Sequence, residues 1–426
     1  MFNETTETML KISNFLISIS IITLLFSCGQ QRAEENVSEP TLEEAEALAK
    51  KYIITDGHVD LPFRLVVQMF RFQKIMEDVS VRTDGNFDYV KAKEGGLDAP
   101  FMSIYIPSSR QKDGTAKVLA DSLIDIVENI TVEHPDKFAL AKTPEDVEAN
   151  FEKGLISLPM GMENGAPIMD DLGNVEYFYE KGIRYITLTH STDNQICDSS
   201  YDSTYTWNGL SPFGEEVVKE MNRVGIMVDV SHISDSTFYD VMKLTKAPAI
   251  ASHSSCREFT PGFERNMNDD MIKKLAENGG VIQINFGSTF IDGSLREVSR
   301  ANRSKVRDFM AENGYTNYRD SAVTAYAKQV NAENPPYSDV QKVADHIDHV
   351  VSLVGVDHVG FGSDYDGVGD TLPEGLKDVS MYPNLILELL KRGYSEEDIE
   401  KICYKNVFRV WKEVAQVAAD LQKEQA

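Results

Sequence analysis

Short apolar runs recur along the chain, each separated from the next by a stretch whose apolar positions return every three or four residues. The runs cover residues 52–61, 100–106, 155–162, 183–190, 225–232, 248–254, 280–285 and 358–364. They fit eight buried strands, and the stretches between them fit helices. Phe213, Val217, Val218 and Met221 share one face of a helix over 213–223, with Gly225 just past its end. Ser338 is placed to cap a helix running to Leu353, striped by Val340, Val343, Ile347, Val350 and Val351. Strand then helix, eight times over, predicts an α/β chain folded as one (β/α)8 TIM barrel over residues 49–426. A doubly wound open sheet is the alternative. Two connections, 62–99 and 288–337, are long, and both leave the ends of strands where barrel enzymes build walls and lids.

The first 48 residues follow another pattern. Residues 12–26 are nearly all apolar, too short a run for a comfortable membrane span and the right length for a signal-peptide core. The run ends Leu25-Phe26-Ser27-Cys28, which fits a bacterial lipoprotein box. Residues 1–28 are therefore expected to be a lipoprotein signal peptide, with Cys28 as the lipidated residue. An uncleaved anchor helix is the alternative, and a start at Met9 would give a more regular leader. Residues 29–48 are polar and acidic and predict a flexible tether. The expected location is the bacterial cell envelope, on the periplasmic or the surface side, with the lipid anchor as the one membrane contact. A net charge of −26 leaves no basic face for a nucleic-acid backbone. Cys197, Cys256 and Cys403 allow at most one bridge, so no disulfide framework holds the fold.

The polar residues that stand out close the strands. The first ends Asp56-Gly57-His58-Val59-Asp60, where alternation puts Asp56, His58 and Asp60 on one face. Others end in Gly-Met-Glu163-Asn-Gly, Leu-Thr-His190, Asp-Val-Ser-His232, Ser-His253-Ser-Ser and Gly-Ser-Asp364-Tyr-Asp-Gly. A single histidine at a strand end is more often a satisfied buried residue than a ligand. Here four of the eight histidines close four different strands, while His134, His346, His349 and His358 lie elsewhere and read as structural or solvated. The set is all nitrogen and oxygen, which suits zinc or another borderline divalent ion. Five ligands exceed what one catalytic zinc takes. They suit two ions: His58, Asp60 and Glu163 on one, Glu163, His232 and His253 on the other, with a bridging water or hydroxide that attacks a carbonyl.

Taken together, these blocks resemble the membrane (renal-type) dipeptidases, and they occur in family order from about Asp56 to Trp411. Glu374-Gly-Leu-Lys-Asp-Val379 and Asn406-Val-Phe-Arg-Val410 match as well. The resemblance implies a barrel with two Zn2+ per chain bridged by Glu163, acting on dipeptides with a free C-terminal carboxylate, D-residues included at that position. It also implies roles for three further residues. His190 steadies the reacting carbonyl, Arg265 clamps the substrate carboxylate, and Asp364 shuttles a proton to the leaving amine. A homodimer is implied too. Where many relatives have an aromatic after Asn285-Phe286, this chain has Gly287. An amidase or lactamase using the same site, and a non-catalytic binding lipoprotein, are the competing functions.

Overall fold

The computed structural model describes residues 39–67, 69, 74–318 and 320–425. The chain divides after Glu39, and the fold described here is that of the unit beginning at Pro40. The expected signal peptide with Cys28, and residues 29–38 of the expected tether, lie outside the described residues. The end of that tether is folded. Thr41 caps a helix, Leu42–Lys51, by accepting from the Glu44 N–H while the Glu44 carboxylate accepts from the Thr41 N–H. This reciprocal pair satisfies two donors that a helix start leaves open. Ala45 and Ala49 are buried, and the helix packs on Tyr382–Lys391. The folded unit therefore begins about one helix earlier than the expected residue 49. Among the described residues, no helix is long and apolar enough to cross a membrane.

The strands are β1 (Ile54–Val59), β2 (Leu97–Tyr105), β3 (Phe138–Leu140), β4 (Ile156–Leu158), β5 (Met160–Glu163), β6 (Ile183–Thr187), β7 (Met227–Asp229), β8 (Ile250–Ser254), β9 (Val281–Ile284) and β10 (Val359–Phe361). Eight of them form one parallel sheet in the order β1-β2-β5-β6-β7-β8-β9-β10. Its ends meet: the Asp364 N–H donates to the His58 carbonyl at 3.1 Å, and the Asp60 N–H to the Tyr365 carbonyl at 2.9 Å. The sheet is thus a barrel, not a doubly wound open sheet, and its helices lie outside, as the strand–helix alternation predicts.

Three local expectations differ. The run at 155–162 is two strands, because Pro159 has no N–H to continue a ladder; β4 pairs with β3 in a small side sheet and β5 enters the barrel. The helix Val340–Val354 is capped by Asp339, which accepts from the Lys342 N–H at 3.0 Å, and not by Ser338. The segment 288–337 is helical, with Ser288–Ile291, Leu295–Asn313 and Ser321–Glu333. The last two share a small core of Val306, Met310 and Val323.

Tyr185 fills the barrel interior. A Cβ at Gly161 would overlap its ring, so the glycine is what lets an aromatic cross from β6 toward β1. Below it, Phe101, Met227, Ile250 and Val281 meet Val407, Phe408, Val410, Trp411 and Val414 of the helix Asn406–Gln425, which closes that end. The other end is open, and the site is there.

Candidate metal centre

A cleft of about 960 Å3 opens at the C-terminal ends of the strands, with Asp60, Glu163, His190, His232 and Asp364 in its lining. Glu163 ends β5 and stands at the centre. One of its oxygens, Oε2, lies 3.3 Å from His58 Nε2; the other, Oε1, lies 3.1 Å from His232 Nε2 and 3.3 Å from His253 Nε2. Asp60 Oδ2 is 3.6 Å from His58 Nε2, and His190 Nε2 is 3.6 Å from Glu163 Oε1. Three groups of side chains converge closely enough to share an ion: His58, Glu163 and His253; Glu163, His190 and His232; and His58, Asp60 and Asp364. All five expected ligands are in these groups. Geometry adds His190 and Asp364 to them.

Backbone conformation contributes to this convergence. His232 and Asp364 both adopt left-handed backbone, at φ 68° and 65°. Such conformations cost roughly 1–3 kcal/mol in a non-glycine residue and persist where the surroundings enforce them.

Neighbouring side chains orient the imidazoles. The Tyr185 hydroxyl donates to the Gly57 carbonyl at 2.9 Å, so it accepts from His58 Nδ1, also at 2.9 Å. The Ser252 hydroxyl donates to Asp229 at 2.6 Å and therefore accepts from His253 Nδ1 at 2.7 Å. In both rings Nδ1 carries the proton, and the Nε2 lone pair points into the centre, which is how ligand histidines are usually set. His58 Nε2 and Asp60 Oδ1 are buried with no hydrogen-bond partner. A ring nitrogen aimed at two carboxylates requires positive charge there, and the nitrogen–oxygen donor set fits a divalent cation.

The electrostatics agree. Burial pushes His58 down, but Tyr185, Glu163 and Asp60 outweigh it and hold the imidazole well above its usual range. Burial would raise Glu163, yet the surrounding histidines hold its carboxyl well below the usual range. His232 and His253 are pushed well down, by burial first and then by neighbours that include Arg265, and so stay neutral. Burial, with Asp60 beside it, raises Asp364 to about 7.

Arg265 is placed less simply. It is 2% exposed and donates to Ser254 Oγ and the His253 carbonyl, both at 2.8 Å. Its Nε has no partner, and the Phe290 ring covers it at 5.7 Å. It therefore stands behind the cleft wall, where Phe290 and Tyr201 are lining residues. Phe290 also takes up the space beside Gly287, where a Cβ would meet its ring at 2.7 Å.

Several contributors went unnoticed in the sequence. Tyr105 lies edge-on to His190 at 4.8 Å. Asn285 donates to Asp364 Oδ2 at 2.8 Å, and Ser103 to Glu163 Oε2 at 3.4 Å. Asp56 does not join the site, because its carboxylate takes hydrogen bonds from the His58 and Ser363 N–H groups and from Ser363 and Tyr382. His346 is structural, accepting from the Cys256 N–H and donating to the Ile291 carbonyl. Cys197, Cys256 and Cys403 are buried and unbridged.

Known proteins carry the same architecture. The family model of the membrane dipeptidases (peptidase family M19) matches residues 42–425. An uncharacterised dipeptidase of Schizosaccharomyces pombe is 33% identical over 405 residues, covering 92% of this chain and 87% of that one. The crystal structure of the probable dipeptidase PvdM of Pseudomonas aeruginosa is 26% identical with a TM-score of 0.74, over 88% of this chain and 99% of that chain. A metallopeptidase of Rhodobacter sphaeroides, solved with a phosphinate mimic of L-Ala-D-Ala, shares the fold at 24% identity and a TM-score of 0.68, over 85% and 99% of the two chains. The barrel and the converging ligands agree with the match along nearly the whole folded unit: the chain belongs to the membrane dipeptidase family, and it is a metallopeptidase acting on dipeptides.

Proposed function

We propose that the chain is a binuclear zinc dipeptidase that accepts either configuration at the C-terminal residue. The observation that carries this reading is Glu163, whose two oxygens face different histidines, Oε2 toward His58 and Oε1 toward His232 and His253. A carboxylate so placed suits a bridge, with His58 and Asp60 on one side and His232 and His253 on the other. When bound, such a pair of ions would supply Lewis-acid polarisation of the carbonyl and would acidify an attacking water.

The chain's own residues do the rest. His190, on the cleft wall beside Glu163, donates to the carbonyl oxygen as charge develops there. Asp364, held by Asn285, carries a proton to the departing amine. Arg265 binds the substrate carboxylate through a planar fork once Phe290 gives way. Lipidation at Cys28, a place on the cell envelope and a homodimer are part of the same proposal. They are tested by the mass of the mature N-terminus, by fractionation and by light scattering.

The deciding experiment measures metal content and L-Ala-L-Ala and L-Ala-D-Ala turnover for wild type and Glu163→Gln. Two zinc ions per chain, turnover of both dipeptides, and loss of metal and activity in the variant are expected. A single ion that supports full turnover would overturn the binuclear assignment, and cleavage of the L,L form alone would overturn the broad stereochemistry.

A further inference from the structure

The helix Leu295–Asn313 carries four arginines that the reaction leaves unused. Arg296, Arg300, Arg303 and Arg307 follow one another at intervals of four, three and four residues. At 3.6 residues per turn they form one stripe roughly 60° wide. Beside the stripe run the buried Ser299, Asn302, Val306 and Met310, while Glu297, Asp308 and Glu312 lie on other faces. Among the described residues, none of the four guanidiniums forms an ion pair. In a chain of net charge −26 such a row of uncompensated cations is conspicuous.

The stripe meets the cleft at Arg303. Arg296 lies flat over the Phe263 ring at 3.6 Å, and Phe263 packs on Tyr201 and Phe290 of the cleft wall. Arg303 lines the cleft itself. The other charged groups at the mouth are mostly engaged. Arg64 pairs with Asp366 and Glu77, Lys377 with Glu374, and Asp370 accepts from the Tyr337 hydroxyl. Asp84 is exposed on the same wall. Of the cations there, Arg303 alone has no partner among the described residues.

We propose that this stripe is an outer subsite that selects dipeptides bearing a side-chain carboxylate, aspartyl or glutamyl, with Arg303 as the contacting group. The proposal rests on the dipeptidase reading above and adds a substrate class to it. The overall charge of −26, with Asp84 and Asp370 at the cleft mouth, would repel a second carboxylate. Four aligned guanidiniums reverse that field locally and raise the rate of productive encounter. Arg303 offers the substrate carboxylate a fork of donors. Arg296 and Arg300 deepen the positive potential between it and the aromatic cover of Arg265.

The test compares kcat/KM for Ala-Glu against Ala-Gln and for Glu-Ala against Gln-Ala, which hold side-chain shape nearly constant while changing its charge. Wild type and Arg303→Gln are assayed as metal-loaded full-length protein at low salt and at about 0.5 M NaCl, where screening is strong. In at least one pair the glutamyl member is expected to be favoured about tenfold, as a hydrogen-bonded charge pair would give. That ratio should fall to about twofold or less in Arg303→Gln, and it should shrink with salt in wild type. Equal use of the charged and neutral members, or a preference that survives Arg303→Gln, overturns the proposal while leaving the dipeptidase standing. No turnover of any of the four beside turnover of L-Ala-L-Ala overturns the proposal, and no turnover of L-Ala-L-Ala either overturns the reading it rests on.

Discussion

Gly367 lies against the two acidic side chains of the site, and a Cβ there would overlap carboxylate oxygens of both Asp60 and Asp364. Gly367→Ala should therefore push both aside. A displacement near 1 Å costs on the order of 100-fold in rate at a preorganised site. The expected outcome is a loss of that size in kcat/KM with a nearly unchanged melting temperature, and full activity would show that the two carboxylates need no fixed position. At this scale, much of the site was visible in the sequence. His58, Asp60, Glu163, His190, His232, His253 and Asp364 stand out jointly, because histidines and carboxylates close several different apolar runs at once. Tyr185 and Asn285 did not stand out, for physical reasons. An aromatic inside a strand is ordinarily core, and Tyr185 acts through its hydroxyl from within that core. Asn285 contributes a single hydrogen bond to Asp364, a partner 79 positions away. Arg265 was named, but nothing local announces that an aromatic ring covers it.

The second strand carries Asp98, 4% exposed, whose carboxylate accepts, among the described residues, only from the Ile54 N–H, at 3.3 Å. Burial raises it to about 7 from the ordinary 3.8, with Lys93 pulling the other way. The folded state thus holds this proton more tightly than the unfolded chain. The stability linked to it is fully present below the unfolded value, declines as pH rises through about 7, and is lost above that. Asp98→Asn keeps the shape and removes the titration. Its stability relative to wild type should climb by up to about 4 kcal/mol between pH 4 and 8, as urea unfolding at a series of pH values would show. A flat difference would mean that water reaches the carboxyl. Elements were legible where periodicity was clean, as in the eight barrel strands. The misplaced boundaries had signals of their own. Pro159 interrupts the run it divides, Thr41 and Glu44 have capping-box spacing, and Val306 and Met310 repeat at helical spacing within a segment taken for a long loop.

Across the whole molecule the two ends of the barrel have different tasks: one stays open around the ligands, and the other is sealed by the helix Asn406–Gln425. Trp411 sits 2% exposed in that seal, against Phe101 at 5.3 Å. Trp411→Ala should cost roughly 3–5 kcal/mol of stability. Because the site lies at the opposite end, kcat should be unchanged at temperatures where the variant is folded. Calorimetry beside kinetics would check both, and a loss of kcat without a loss of stability would contradict the separation.

The seal also imposes an order on synthesis. The lower core joins Phe101 on β2 to residues 407–414, so these partners are made some three hundred residues apart. At ribosomal speeds of about 5–20 residues per second, the early strands wait roughly fifteen seconds to a minute for the side chains that cover them. Until then their apolar surface is available to chaperones or to other nascent chains. The barrel commits to its final form only after nearly all of it has been made.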